Sequence, residues 1–276
     1  MKLCYNSNGL RNVGVLDAVK QIKAYGYDGV ELSFHDNHVH PLKTSLDEFR
    51  SVKECCGEIG LEIACLATGA EGLLGGEPYE PSLIHPDAKE RQRRIDVLKR
   101  SVEIANLLDI PVMNLASGKL KPEVERERAY EYLLTGIGEL TKETGDAVLA
   151  VEPEPDFFIG TSREAVRLIR DIDHPRFMLN LDIGHVYCCE DDFIEAIQDA
   201  VPYTRHIHIE DIKNRIHYHE IPGQGDIDFE QVFSAIGDYK HYISIELYHH
   251  ADVSDRALEE SRSYLLRFLS GQAVRQ

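Results

Sequence analysis

Ala147-Val148-Leu149-Ala150-Val151 runs directly into Glu152-Pro153-Glu154-Pro155. Five apolar residues in a row, with no alternation, describe a strand buried on both faces, as in a parallel sheet covered by helices. The run ends abruptly on a carboxylate and two prolines, so the chain leaves the sheet where its polar residues begin. Working outward, the same beat recurs. Downstream, Ser162–Ile172 reads as a helix, 177–181 as a strand, Phe193–Ala200 as a short helix, Thr204–Ile209 as a strand, 229–237 as a helix, 242–247 as a strand and 255–269 as a closing helix. Upstream, strands at 3–6, 29–34, 61–67 and 112–115 alternate with helices at 13–25, Leu46–Ile59, 87–108 and 124–144. In the first of these helices Val15, Leu16, Val19 and Ile22 fall on one face. Eight strand–helix units joined by right-handed crossovers predict an α/β fold, a single-domain (β/α)8 TIM barrel over 1–276. An open doubly wound sheet would place a glycine-rich phosphate loop after the first strand, and Asn6-Ser7-Asn8-Gly9 is not one.

The chain has 276 residues, 30 basic against 48 acidic, for a formal net charge of −18. That excess repels a phosphate backbone and argues against nucleic acid as a partner. No stretch approaches the roughly 18 consecutive apolar residues of a membrane span, and 1–5 reads as a strand rather than as a secretion signal. The six cysteines (Cys4, Cys55, Cys56, Cys65, Cys188, Cys189) include two adjacent pairs and no C-x-x-C spacing. They read as reduced thiols, and the expectation is a cytoplasmic protein.

In such a barrel the chemistry lies at the C-terminal ends of the strands. The last four strands end in Glu152, in Asp182 of Leu181-Asp182-Ile183-Gly184-His185, in His208 of His206-Ile207-His208-Ile209-Glu210-Asp211, and in Glu246 of Ser244-Ile245-Glu246-Leu247. The separations of 30, 26 and 38 residues each match one strand–helix step and stack the four side chains on one rim. Three carboxylates and an imidazole in a mostly apolar frame would repel one another and lose hydration. One divalent metal ion resolves both problems, so Glu152, Asp182, His208 and Glu246 are predicted as its ligands. After strand seven, Pro222-Gly223-Gln224-Gly225-Asp226-Ile227-Asp228 predicts a tight turn at the rim, with Asp228 capping the helix that starts at Phe229.

Those segments, together with Val151-Glu152-Pro153, resemble the xylose isomerase-like TIM-barrel superfamily, the sugar phosphate isomerase/epimerase group. It includes ketose 3-epimerases, inosose isomerases and dehydratases, hydroxypyruvate isomerase and 3-dehydroshikimate dehydratase. The likeness covers the C-terminal half; the N-terminal half shares only the strand–helix beat. It implies one Mn²⁺, Co²⁺, Mg²⁺ or Zn²⁺ on Glu152, Asp182, His208 and Glu246, and a small sugar or cyclitol as substrate. It further implies a homo-oligomer. Epimerases of the group carry an Arg soon after the strand-seven ligand. Here 211–219 is a longer loop in which Lys213, Arg215 and His219 are the candidates for that substrate contact.

The chemistry expected is isomerisation or epimerisation. The metal acidifies the C–H beside a carbonyl through a stabilised enediolate, and Glu152 and Glu246, on opposite sides of the substrate, remove and return the proton. His185 is placed against a substrate oxygen. His35, His38 and His40 after strand two are expected as loop residues, with His35 a possible contact, while Cys65 and Thr68 line the core or pocket. The same site would serve a lyase or dehydratase acting on a keto-sugar, keto-cyclitol or oxidised glycoside. An abasic-site endonuclease would need more metals and a basic face, and a non-catalytic relative would be expected to lack one of the four ligands.

Overall fold

In the computed structural model, which describes residues 1–69 and 72–272, the apolar runs form the strands of a closed barrel. In chain order the elements are β1 (Lys2–Asn6), α1 (Val15–Ala24), β2 (Gly29–Ser33), α2 (Leu46–Ile59), β3 (Glu62–Ala67), α3 (Ala88–Leu107), β4 (Val112–Ala116), α4 (Arg126–Leu140), β5 (Val148–Glu152) and α5 (Ser162–Ile172). There follow β6 (Phe177–Asp182), α6 (Ile183–Cys189), α7 (Phe193–Ala200), β7 (Thr204–Ile209), β8 (Asp211–Lys213), β9 (Ile216–Glu220), α8 (Phe229–Ile236), β10 (Tyr242–Ile245) and α9 (Ser254–Gln272). Strands β1 to β7 and β10 close in the order β1-β10-β7-β6-β5-β4-β3-β2, every pair parallel. The molecule is therefore a single-domain (β/α)8 barrel.

Side chains alternate across each strand. One set, including Leu32, Met113, Leu115, Val151, Leu181, Ile207 and Ile245, joins the helices in the main hydrophobic core. The other set faces the barrel axis and is largely polar: Asn6, Glu31, Asn114, Glu152, Asn180, Asp182, His206, His208 and Ser244 are all buried. The frame around the predicted ligands is thus polar rather than apolar, and the unbroken apolar runs report mainly on the outer layer.

Local chemistry fixes the helix starts. Ser45 and Glu48 form a reciprocal capping box on α2, Thr161 caps α5, and Asp228 accepts from the backbone N–H groups of Glu230 and Gln231 to cap α8 as its position predicts.

Two elements depart from the sequence reading. The loop predicted at 211–219 is an antiparallel hairpin, β8–β9, apart from the barrel. Its turn residues Asn214 and Arg215 both have positive φ, 55° and 57°. A two-residue turn of that hand suits a hairpin, but Arg is an uncommon occupant, so the turn has no Asn-Gly signature. The second is α6, which starts immediately after β6 because Asp182 accepts from the His185 N–H at 2.8 Å. No helix is long and apolar enough to cross a membrane among the described residues.

Candidate metal centre

Barrel register brings the four predicted residues together. Asp182 on β6 lies directly opposite His208 on β7, and Ser244, two residues before Glu246, opposite His208 on the other side. Glu152 ends β5, next to β6. One donor atom from each of Glu152, Asp182, His208 and Glu246 lies within 4.8 Å of all the others. The His208 Nδ1 is 2.8 Å from Glu152 Oε1, 3.4 Å from Glu246 Oε2 and 3.7 Å from Asp182 Oδ2. Glu152 Oε1 and Asp182 Oδ2 are buried and have no hydrogen-bond partner. Buried carboxylate oxygens left without a donor, converging on an imidazole nitrogen, fit a divalent cation.

The other faces of His208, Glu152 and Glu246 are held by Glu31, Asn114, Asn6 and Asn8, to which the sequence reading gave no role at the site. Glu31 on β2 lies 2.9 Å from His208 Nε2 and 3.0 Å from His206 Nε2. A carboxylate only accepts, so His208 Nε2 carries a proton and Nδ1 is left to face the cluster. Asn114 donates to Glu152 Oε2 at 3.2 Å, and Asn6 and Asn8 both donate to Glu246 Oε1 at 3.0 Å. Thr68 steadies Asn114, its N–H donating to the side-chain oxygen and its hydroxyl to the backbone carbonyl. The signal for these residues is polarity inside a buried strand, as in Gly29-Val30-Glu31-Leu32-Ser33.

Burial pushes Glu152 up to about 8, against the opposing pull of His208. Burial acts on Glu246 and Asp182 in the same direction, but neighbouring histidines outweigh it and hold both below the usual carboxylate range. Behind α6, burial and the charge of Asp182 raise Glu210 well above its ordinary value. Its carboxyl fills the space where Gly184 has only hydrogen, and a Cβ at Gly184 would collide with it.

Above the cluster lies a cavity of about 540 Å³, lined by Asn8, Tyr79, Glu154, His185, His219 and Tyr248 among others. His185 projects into it from α6, its Nδ1 donating to the Pro153 carbonyl at 2.9 Å. His219 and His217 enter from β9, and Glu154 accepts from the Tyr79 hydroxyl at 2.9 Å. Lys213 and Arg215 do not line the cavity. Lys213 is the exposed last residue of β8, and the Arg215 guanidinium is taken by the Glu190 carbonyl at 3.0 Å and the Asp191 carboxylate at 3.3 Å. Asp211 instead braces the rim, accepting from the N–H groups of Gly223 and Ile227. Cys65 packs inside the barrel against Val112 and Ala150.

None of the histidines after β2 lines the cavity. His35 and His40 accept from the backbone at Asn37 and Leu42. His38 bridges Ser7 Oγ and the carbonyls of Leu10 and Val13. Burial depresses its pKa from 6.5 to about 4. The folded value lies below the unfolded one, so its contribution is fully present above about pH 6.5 and is lost as pH falls towards 4. Urea unfolding at pH 7 and pH 4.5 should show a His38-dependent loss of roughly 2–3 kcal/mol, absent from the pH dependence of His38→Gln. Parallel pH dependence in the two proteins would count against it.

A family model described as xylose isomerase-like TIM barrel matches residues 19–268. A zebrafish (Danio rerio) protein named as a hydroxypyruvate isomerase, an assignment its name marks as provisional, is 25% identical over 237 residues, 80% of this chain and 81% of its own. Among solved structures, a D-psicose 3-epimerase determined in the presence of D-fructose superposes with a TM-score of 0.81 at 18% identity, covering 99% of both chains. The IOLI protein with a bound zinc atom superposes with a TM-score of 0.79 at 19% identity, also covering 99% of both.

Proposed function

Because this chain belongs to the xylose isomerase-like TIM barrel family, we propose that it is a divalent-metal-dependent isomerase or epimerase of a small sugar or cyclitol. The observation that carries this reading is the convergence of Glu152, Asp182, His208 and Glu246, with two buried carboxylate oxygens that accept no hydrogen bond. The zinc in the IOLI structure and the sugar present with the psicose epimerase support it.

A cation bound by these four residues supplies Lewis acidity to a carbonyl and its neighbouring hydroxyl, which acidifies the C–H between them. The chain supplies the proton traffic. Glu152 on β5 and Glu246 after β10 are separated around the barrel by β6 and β7, so they reach a substrate from different sides. One carboxylate takes the proton from carbon, and the other, arriving protonated, delivers one to the opposite face, so the carbon inverts without net proton change. Asn114 holds Glu152, while Asn6 and Asn8 hold Glu246, so each keeps one oxygen fixed and one directed inward. His185 Nε2, at the cavity wall, is placed to bind a substrate oxygen.

A second reading, lyase or dehydratase chemistry on a keto-sugar, keto-cyclitol or oxidised glycoside, is favoured by the cavity. Its volume of about 540 Å³ and its aromatic walls, Tyr79, Phe157 and Tyr248, leave room beyond one sugar ring. Loss of a leaving group β to the carbanion would need the same glutamate base. Product analysis with ketoses and 3-keto-glucosides separates the readings.

The primary test is elemental analysis of the purified protein with Asp182→Ala as control. The expected result is a divalent ion bound by the wild type and a loss of one ion per chain in the variant. A wild-type protein that neither contains a metal nor takes up Mn²⁺ or Co²⁺ would remove this function and leave the barrel.

A further inference from the structure

Among the described residues seven large apolar side chains stand exposed, and they are not scattered. Val13 and Leu16 lie at or just before the start of α1, and Leu42 and Leu46 do the same at α2. Ile216 and Tyr218 lie on β9, and Val253 directly precedes α9. The segments that carry them follow β1, β2, β7 and β10, which stand side by side in the barrel in the order β7-β10-β1-β2. The other half of the rim, after β3 to β6, exposes no large apolar side chain among the described residues. Single exposed apolar residues are ordinary on a soluble protein, whereas a shared apolar surface marks an interaction site.

Direct contacts join these segments. Asn12 donates to the Asp252 carboxylate at 2.7 Å, and Asn37 donates to the Arg11 carbonyl at 3.0 Å. Tyr218 stacks on His249 with ring centroids 4.8 Å apart, and His250 Nε2 donates to the His219 carbonyl at 2.8 Å. The surface is therefore continuous from the hairpin, past 249–253, to the loop before α2.

Charge and the hairpin together say what covers it. Segments 11–20, 35–48, 213–218 and 249–256 carry six basic and six acidic residues, so the whole net charge of −18 lies outside this surface. Two copies of the chain repel one another through most faces but not through this one. Within the surface the signs are separated. Lys213 and Arg215 lie in 213–218, which has no acid, while Asp252 and Asp255 lie in 251–255, which has no base. A two-fold axis sets a patch against itself, so the basic segment of one copy can face the acidic segment of the other. The hairpin adds a second reason. A sheet of only two strands is marginal unless something packs on it. His219 packs its inner side, but Ile216 and Tyr218 are 63% and 40% exposed.

We propose that this half of the rim is the two-fold interface of a homodimer, in which the hairpin of each copy packs against its partner. The clustered apolar side chains form the centre of the contact and the balanced charges its polar border. A partner of one charge sign would call for a surface of the other sign, and this one is neutral. The contact braces the hairpin, which no hydrogen bond of the barrel sheet holds, and it leaves the buried four-residue cluster untouched. The inference goes beyond the function proposed above and does not depend on it.

Sedimentation velocity of the full chain tests it. At about 10 µM the wild type is expected to run as a dimer of the 31.3 kDa chain. The double variant Leu42→Glu, Ile216→Glu places like charges in the contact and is expected to associate at least about 100-fold more weakly, giving a monomer at that concentration. Both side chains are exposed, so its circular dichroism spectrum should match the wild type. A second measurement needs no substitution. A carbodiimide couples amines to carboxylates in contact, and on a mixture of ¹⁵N-labelled and unlabelled wild type the mixed-isotope links are expected to join Lys213 to acidic residues of this same surface. A wild type that is monomeric at 10 µM overturns the proposal. So does a dimer that the double substitution leaves unchanged, or one whose mixed-isotope links all lie on other faces. None of these outcomes bears on metal content, by which the proposed function is judged.

Discussion

Glu246→Gln is expected to fold like the wild type and to turn over substrate about 10²–10⁴-fold more slowly. The substitution preserves volume, and the new side chain's carbonyl oxygen can still accept from Asn6 and Asn8, which now meet at Glu246 Oε1. What is lost is the second oxygen, the one 3.4 Å from His208 Nδ1, as both a negative charge and a proton acceptor. Glu152→Gln is expected to behave alike, since Asn114 can donate to either an amide or a carboxylate oxygen. Steady-state rates on a ketose panel, with thermal melts as the folding control, measure both. Near wild-type turnover in either variant would end the two-glutamate scheme.

Glu31 carries the second large effect. Its carboxylate is fully buried and lies between His206 and His208, whose charge outweighs burial and keeps it well below the usual carboxylate range. Glu31→Ala strands two imidazole N–H groups in the barrel interior. Breaking a buried pair from one side costs about 3–5 kcal/mol. Glu31→Gln keeps the volume but offers the His208 Nε2 proton a weaker acceptor, so the basicity of Nδ1 falls. Metal affinity is expected to weaken about 10–100-fold with the fold preserved. Urea denaturation measures the first variant and Mn²⁺ titration calorimetry the second. Unchanged affinity in Glu31→Gln would mean that Glu31 does not orient the ligand.

The barrel was legible because its outer layer writes itself as unbroken apolar runs, and 147–151 is enough to show a strand covered by helices. The four clustered residues were legible because each lies at or beside the C-terminal end of a strand. Glu31, Asn114 and Asn180 were not, since one polar residue inside an apolar strand differs little in sequence from a surface position. Their meaning appears only when neighbouring strands bring Glu31 opposite Asn6 and Asn180 opposite His206. The strand β9 was missed for a different reason. Ile216-His217-Tyr218-His219 does alternate, but its apolar members Ile216 and Tyr218 are exposed and its one buried member is His219. The usual inference, apolar inward and polar outward, is reversed beside a polar cavity. Arg215 was misjudged because charge alone does not reveal that Glu190 and Asp191 on the neighbouring segment hold it.

Strands β8 and β9 pair with each other and lend no rung to the barrel. Such a flap can be lengthened, shortened or exchanged without breaking a single hydrogen bond of the closed sheet. Two of the cavity's imidazoles, His217 and His219, ride on it, whereas the carboxylates beneath are anchored in the strands themselves. Ancestry could therefore retune what enters the pocket by rewriting ten residues, while the reactive floor stayed as it was. Grafting 211–220 onto another barrel of this shape is the corresponding engineering route.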